Sequence, residues 1–498
     1  MKNSKYKSIS AGDLLGGTLK QIDNFIKKTK VRGVALDSRK VSKDYLFFAL
    51  KGNVQDGNNF IEDALTRGAS MILSDNEKQK HPKIIFVPDL RKLVGQISSI
   101  FFGEPSRKLR TFIVTGTNGK TSCVEMISRI GNLIGKRSGY ISTIGVSFNG
   151  VDIERDSTLT TPDPVDLQKT FFDMTIAKTE QVAVEASSHG LDQSRLYGTK
   201  IDTAVLTSFS HDHLDYHSNL KEYSMAKKKL FTELNPEISI LNIDNHLGRE
   251  IFQELKRKDK KSKVFTISQN EEADFVYKFH RCTGESLMVN LNTPKGSEIF
   301  SLNTFSRALA SNVISALAAL QCSDYDLSKV YPLLKEVKFP EGRMELINLS
   351  PKDKCFIDFA HTPDALEASL LELNDTFRAN IWCLFGCGGE RDKAKRPLMG
   401  KIAEKFSDHL IITSDNPRSE NEMEIINQIA SGIQHKSSIN KIVDREEAIR
   451  FCLNGIAKSK QRNILLIAGK GHEKYQEKLG NRLPFSDRKI VNSFINSV

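Results

Sequence analysis

The chain has 498 residues, of which 39% are hydrophobic and 27% charged, and carries a formal net charge of +11. That length predicts two to four domains, each able to bury a core, and the balance is that of a soluble globular protein. No run of 18 or more apolar residues is present, so no membrane span is expected, and the polar start MKNSKYKSISAGDLLGG lacks the apolar core of a secretion signal.

Seven cysteines, spread singly with no C-x-x-C pair, fit reduced thiols in a cytosolic enzyme better than a disulfide framework. Cys383 and Cys387 flank an apolar strand-to-glycine turn and read as small buried residues rather than metal ligands. The positive excess is concentrated at the front, where residues 1–107 hold 19 Lys+Arg against 11 Asp+Glu. These lysines are scattered, without a dense basic block or aromatic interleaving. That argues against nucleic-acid binding and for a generally basic surface or a domain that binds an anionic small molecule.

In chain order, the first ~105 residues alternate short apolar runs (VALDS, YLFFAL, SMILS, KIIFV) with polar turns and one or two helices. FFGEPSRKLR then reads as a linker, with Gly103 and Pro105 as breakers. TFIVT is a buried strand and TSCVEMISRIGNLIG a helix; RSGYIST, QVAVEAS, TAVLTS and ISILNID are further strands with helices between them. The middle third is therefore expected to be a mainly parallel α/β sheet. A second break falls at VKFPEGRMELI. The same rhythm then resumes through KCFIDFA, IWCLFGCGG, HLIITSD and NILLIAG, a further α/β unit. Chemistry is expected in the loops at the carboxyl ends of these strands.

The run FIVTGTNGKTS departs from the common phosphate loop, G-x-x-x-x-G-K-[ST]. Gly119, Lys120 and Thr121 supply G-K-T, but Val114 stands where the first glycine belongs and Gly116 comes two residues late. Two glycines between a strand and a helix still let backbone N–H groups approach a polyphosphate, and the helix start adds its positive end. Lys120 gives a point charge, and Thr121 or Ser122 a hydroxyl for Mg²⁺. A magnesium site needs a carboxylate, and Glu185 ends a buried strand. SFSHDHLDYHS crowds His211, Asp212, His213, Asp215 and His217 into seven residues. This cluster also admits a two-metal hydrolase, but Tyr216 stands where H-x-H-x-D-H needs its last histidine.

The spelling T-G-T-N-G-K-T-S resembles the ATP loop of the Mur ligases, the cytoplasmic amino-acid-adding enzymes of peptidoglycan synthesis. Folylpolyglutamate synthetases share the loop but usually carry G-K-G-S. LDSRKVSKDYLFFALKGNVQDGNNFI, TLTTPDP, EASSHGLDQSRL, HDHLDYH, YSMAKKKLF, GRMELI, DFAHTPDAL, GCGGERDKAKRPLM, SDNPRSE and AGKGHEKYQ follow in the Mur ligase order across nearly the whole chain.

The resemblance implies three α/β domains: a UDP-substrate-binding domain over 1–107, a central ATP-binding domain with a P-loop-type, mainly parallel sheet over 108–340, and a Rossmann-like amino-acid-binding domain over 341–498. It implies a cytoplasmic monomer with no nucleic-acid partner. The implied reaction transfers the γ-phosphate of ATP to the D-glutamate carboxylate of UDP-N-acetylmuramoyl-L-alanyl-D-glutamate. The amine of an incoming amino acid, meso-diaminopimelate, then attacks the acyl phosphate. Lysine addition and folylpolyglutamate synthesis are the alternatives.

Carried over by residue, Gly116, Thr117, Asn118, Gly119, Lys120, Thr121, Ser122, Asn312, Arg343, Asp358 and His361 would bind ATP. Leu36, Ser38, Asn53, Val54 and Gln55 would hold the uridine nucleotide, and Thr160, Thr161, Ser187, Gln193 and Arg195 the muramoyl-dipeptide. Thr121, Glu185, His213 and a carbamylated Lys227 would hold magnesium, with Lys120, His213 and Lys227 catalytic. Only the neutral amine takes up carbon dioxide, and at pKa ~10.4 that is under about 0.1% of a lysine at neutral pH. Lys228 and Lys229 are expected to lower the pKa of Lys227 by repulsion. The amino acid would meet Arg391, Asp415, Asn416, Pro417, Arg418, Gly469 and Glu473. An arginine fork at Arg418 matches the second carboxylate that distinguishes diaminopimelate from lysine, and Glu473 could meet its distal ammonium. The chain departs from the family at Ser208 (usually Asn), at Phe359 (usually Tyr), and in the helix start that leaves only Asn312 as a candidate for adenine.

Overall fold

A computed structural model describes residues 8–19, 24–52, 55–153, 159–210, 216–258, 262–281, 286–435 and 439–497. It is α/β throughout, with three main sheets in chain order.

The first sheet is parallel and four-stranded: Gly33–Ala35, Tyr45–Ala49, Ala69–Ser74 and Ile84–Phe86. Period-two alternation sends Leu46, Phe48, Met71 and Leu73 to one face, against Leu90, Val94 and Ile97 of helix Leu90–Phe101. Phe47 and Ile72 face the other way, onto helix Ile61–Thr66. Helix Leu90–Phe101 also fixes this sheet to the next. A Cβ on Gly95 would stand 2.0 Å from the Tyr197 carbonyl, so the close approach requires glycine. Lys40 pairs with Asp166 at 2.9 Å across the same junction.

The expected linker FFGEPSRKLR is not a free connection. Phe101 and Phe102 are buried edge to face, 5.0 Å between centroids, and Ser106 Oγ accepts the Lys200 N–H at 3.0 Å. Two aromatic side chains gain more from burial than a polar tether gains from freedom.

The second sheet has eleven strands. Its parallel centre runs Ser138–Ser142, Gln181–Glu185, Arg110–Thr115, Thr203–Leu206, Ile238–Asn242, Lys263–Ser268 in spatial order. Helices cover both faces, so these strands read as unbroken apolar runs: Phe112, Val114 and Val205 pack with helices Lys120–Leu133 and Arg307–Cys322, while Ile113, Val184 and Leu206 pack on the other side. An antiparallel extension, Phe275–Arg281, Leu287–Thr293 and Gly296–Leu302, was not foreseen in the sequence. Leu287, Val289 and Leu291 are buried in alternation with polar or exposed residues, a weaker pattern than a central strand gives.

The third sheet is ordered Glu345–Asn348, Lys354–Asp358, Asn463–Ala468, Asn380–Phe385, His409–Ile412, Ile439–Lys441, parallel apart from its first, antiparallel strand. The expected break at VKFPEGRMELI thus ends in a strand that pairs with Lys354–Asp358. Arg445 and Asp487 form a fully buried ion pair at 2.8 Å, and Arg445 also donates to the carbonyls of Ser414 and Ala468, one residue before Asp415 and Gly469. Cys383 and Cys387 are buried. Among the described residues, no helix is long and apolar enough to cross a membrane.

Candidate active site

The strand Arg110–Thr115 lies between Gln181–Glu185 and Thr203–Leu206, and the chain changes its direction of advance across the sheet there. The loop after Thr115 therefore opens at a topological switch point, where α/β sheets bind ligands. Gly116 has φ +153°, and a Cβ on it would stand 2.0 Å from Thr207 Oγ1; Gly119 has φ +85°, with Asn312 Oδ1 2.2 Å from its Cβ position. The late first glycine is the residue that must pass the Thr207–Ser208 turn. That turn also shapes the loop: Thr117 N–H donates to the Ser208 carbonyl at 2.8 Å and Asn118 N–H to Ser208 Oγ at 2.9 Å. Helix Lys120–Leu133 begins after Gly119, its first-turn N–H groups facing the crevice. Lys120 Nζ donates to the Thr117 carbonyl at 2.8 Å; Ser122 is buried.

Glu185 is buried at the strand tip. Its Oε2 accepts from Thr121 Oγ1, Thr143 N–H and Thr143 Oγ1, each at 3.0 Å, whereas among the described residues Oε1 has no hydrogen-bond partner. A carboxylate with one oxygen held by three donors and the other unengaged suits a hard divalent cation beside a phosphate. Among the described residues no group of three His, Cys, Asp or Glu side chains forms a metal cage. His211, Asp212, His213 and Asp215 lie outside the described residues. His217 is buried, and Tyr216 donates to Asp192 at 3.0 Å.

Lys227 sits on helix Leu220–Thr232 with 1% exposure, Nζ donating to the Gly116 carbonyl at 2.7 Å and lying 4.5 Å from the Tyr223 ring. Its neighbours do not act on it as expected. Lys228 pairs with Glu250 and Glu254, and Lys229 with Asp192 at 2.9 Å, so carboxylates neutralise both charges. What distinguishes Lys227 is exclusion from water.

Thr161, Ser187, Gln193 and Arg195 form one network beside the loop. Thr161 Oγ1 accepts the Ser187 N–H at 2.9 Å and donates to the Glu185 carbonyl; Arg195 donates to the Thr161 carbonyl and, through two nitrogens, to Gln193 Oε1. Thr160 Oγ1 accepts from Thr143 at 3.2 Å. Burial lowers the pKa of the Arg195 guanidinium.

The third sheet faces this crevice, and together they enclose a cleft of about 540 Å³. Arg343 enters it with its guanidinium 4.4 Å from the Phe359 ring and donates to Thr121 Oγ1 at 3.2 Å. His361 lines the cleft; Asp358 does not, being consumed by Met344 N–H, Phe359 N–H and Ser369 Oγ. Asn312 is likewise turned under Gly119 rather than lining the cleft. Arg391, Asp415, Asn416, Arg418, Gly469 and Glu473 line the opposite wall. Gly469 has φ +109°, and a Cβ there would stand 2.6 Å from Asp415 Oδ2. The Pro417 carbonyl lies 1.9 Å from the Cβ position of Gly389, so the D-N-P-R turn packs directly on the GCGG turn.

Leu36 and Ser38 follow strand Gly33–Ala35 and Gln55 follows strand Tyr45–Ala49, none of them lining the cleft; Asn53 and Val54 fall outside the described residues. Ser38 is buried, and its hydroxyl helps lower the Asp63 carboxyl.

The sequence reading passed over Thr143, Lys395, Lys470, Tyr475, Glu477 and Arg482. Lys470 is fully buried and donates to Asn416 Oδ1 at 3.0 Å and Glu473 Oε2 at 2.8 Å; the other five line the cleft. Lys470 stands inside AGKGHEKYQ, where a lysine two residues past an apolar strand was a visible signal. Burial raises the Glu473 carboxyl, with Lys470 opposing.

Family models describe three consecutive parts of the chain: the Mur ligase family catalytic domain (30–100), the Mur ligase middle domain (114–320) and the Mur ligase glutamate ligase domain (342–471). A protein of Ectopseudomonas mendocina named UDP-N-acetylmuramoyl-L-alanyl-D-glutamate–2,6-diaminopimelate ligase is 38% identical over 92% of this chain and 93% of its own. One of the same name from Rickettsia montanensis is 38% identical over 96% and 98%. A solved structure of a ligase of that name superposes with TM-score 0.72 at 31% identity, covering 99% of both chains. A Mycobacterium tuberculosis folylpolyglutamate synthase complexed with ADP and AMPPCP shares the fold at TM-score 0.63 and 18% identity, over 76% of this chain and 92% of its own.

Proposed function

Because this chain belongs to the Mur ligase family, we propose that it joins meso-diaminopimelate to the D-glutamate carboxylate of UDP-N-acetylmuramoyl-L-alanyl-D-glutamate, at the expense of ATP, in peptidoglycan precursor synthesis. Relatives that share a third or more of its residues along nearly its whole length carry that activity in their names, whereas the folate enzyme resembles it in fold alone. The observation that carries the reading is one cleft with a phosphate loop on one wall and the D-N-P-R turn on the other.

A free carboxylate is a poor electrophile, so the enzyme must first make it an acyl phosphate; charge neutralisation and alignment are what the site must provide. Lys120 and Arg343 converge on the loop and would neutralise the transferring phosphoryl group. Magnesium would be held by Glu185, by Thr121, by His213 and by Lys227 as its carbamate, and would neutralise phosphate oxygens when bound. Carbamylation forms a bond between Lys227 Nζ and the carbon of CO₂ with loss of a proton.

Arg195, held by Thr161 and Gln193, would orient the dipeptide, with Thr160 and Ser187 beside it. Leu36, Ser38, Asn53, Val54 and Gln55 would hold the uridine nucleotide. Arg418 would take the distal carboxylate of diaminopimelate, which favours that amino acid over lysine. Division into domains over 1–107, 108–340 and 341–498, and work as a monomer in the cytoplasm, belong to the same proposal.

Mass spectrometry of the product tests it. ATP, Mg²⁺, the UDP-linked dipeptide and diaminopimelate should give a UDP-linked tripeptide, with one ADP and one phosphate released per product. No tripeptide with any diamino acid would refute it.

A further inference from the structure

Strand Ser138–Ser142 turns back into strand Gly145–Phe148 through Thr143 and Ile144, with Ser142 opposite Gly145. The first of these strands runs parallel to Gln181–Glu185, so the turn meets the strand tip that carries Glu185, and both Thr143 and Glu185 line the cleft. Thr143 grips that acid twice. Its N–H and its Oγ1 each lie 3.0 Å from Glu185 Oε2. A third donor, Thr121 Oγ1, stands at 3.0 Å from the same oxygen.

The two grips of Thr143 differ. The backbone N–H is committed to Glu185. The hydroxyl has one proton to give and two acceptors within reach, Glu185 Oε2 at 3.0 Å and Thr160 Oγ1 at 3.2 Å. Thr160 comes from a different segment, just before helix Pro164–Ile176, and it too lines the cleft. Among the described residues the hydroxyl proton of Thr160 has no acceptor, so it is available to a ligand.

We propose that Thr143 is a positioning residue that couples the dipeptide site to the cation site by turning its hydroxyl from Glu185 to Thr160. The inference rests on the ligase reading above, in which Thr160 meets the muramoyl-dipeptide and Glu185 the cation. When an oxygen of the dipeptide accepts the Thr160 proton, the Thr160 oxygen becomes a better acceptor, because hydrogen bonds in a chain polarise one another. The Thr143 hydroxyl then turns to Thr160. Glu185 keeps two donors, the Thr143 N–H and Thr121, and these hold its orientation. It loses the third, which had engaged part of its charge. A carboxylate with less of its charge engaged attracts a divalent cation more strongly. The effect is mutual: whatever factor the dipeptide adds to cation affinity, the cation adds to dipeptide affinity.

The test titrates Mn²⁺, followed by its electron paramagnetic resonance signal, into the full chain with a non-hydrolysable ATP analogue, with and without the UDP-linked dipeptide. In the wild type the dipeptide is expected to tighten Mn²⁺ binding by about threefold to tenfold, the scale of one net hydrogen bond. Thr143→Val keeps the shape and the backbone N–H but has no hydroxyl. In that variant Mn²⁺ should bind equally well with or without the dipeptide, at an unchanged melting temperature. Thr143→Ser, which restores the hydroxyl, should restore the coupling. Coupling of wild-type size in Thr143→Val would overturn the assignment. So would a Thr143→Ser variant as uncoupled as Thr143→Val, since the methyl group and not the hydroxyl would then matter. A wild type that binds Mn²⁺ and the dipeptide independently overturns the coupling and leaves the ligase reading standing. A wild type that does not bind the dipeptide refutes the ligase reading itself, and the coupling with it.

Discussion

Arg343 Nη2 donates to Thr121 Oγ1 at 3.2 Å, and Thr121 in turn donates to Glu185 at 3.0 Å. A guanidinium from the entry to the third sheet thereby reaches the first turn of the phosphate helix and the acid beside it. Its Nε is buried without a hydrogen-bond partner among the described residues. Such a cation is placed to meet negative charge that arrives with a ligand.

Arg343→Ala is therefore expected to lower kcat by about 100-fold or more, the scale of losing one preorganised donor to a developing charge. Arg343→Lys should recover part of it, since it restores the charge without the planar fork. Phosphate-release kinetics decide; turnover near wild type in Arg343→Ala would remove this residue from charge stabilisation.

Gly119→Ala forces a side chain into a left-handed backbone against Asn312 Oδ1, 2.2 Å from the new Cβ. Backbone strain of about 1–3 kcal/mol is expected, and it should weaken ADP binding in calorimetry. Adding Asn312→Ala removes the clash and not the strain, so recovery should be partial. Full recovery would show that the contact alone demands glycine.

Lys227→Ala should reduce turnover by at least about 100-fold if its carbamate stabilises phosphoryl charge. Short carboxylates such as formate should restore part of the activity. The account fails here if intact protein in bicarbonate carries no carbamate and Lys227→Ala remains fully active without rescue.

His472 carries a pKa lowered to about 3, first by burial and then by Arg343. Its folded value lies below the unfolded value of about 6.5, so the unfolded chain binds more protons between those limits. The stability linked to it is intact above pH 6.5 and lost as pH falls through the window, by up to about 1.4 kcal/mol per pH unit. His472→Phe, which could stack on Phe359 as the imidazole does at 5.2 Å, should flatten that part of a pH–stability curve. An unchanged slope would mean that His472 is protonated in the folded protein.

The sheets were legible wherever a strand is buried on both faces, because TFIVT, QVAVEA and NILLIA have no alternative use for their apolar runs. The glycines of the loop were legible as glycines; that Thr207 and Asn312 press on them was not, since those contacts join residues about 90 and 190 positions away. Charge compensation was the other blind spot. Lys228 and Lys229 looked like influences on Lys227 until Glu250, Glu254 and Asp192, distant in sequence, were seen to hold them. Glu473 differs: its cation, Lys470, stands only three residues before it, within AGKGHEKYQ.

The most direct test of the central claim is phosphate release from ATP and Mg²⁺ with the UDP-linked dipeptide, supplied with meso-diaminopimelate, with lysine, or with no amino acid. The account predicts fast release with diaminopimelate, little with lysine and least with none, and loss of the diaminopimelate response in Arg418→Ala. Equal rates with lysine and diaminopimelate, or release that needs no UDP-linked dipeptide, would contradict it.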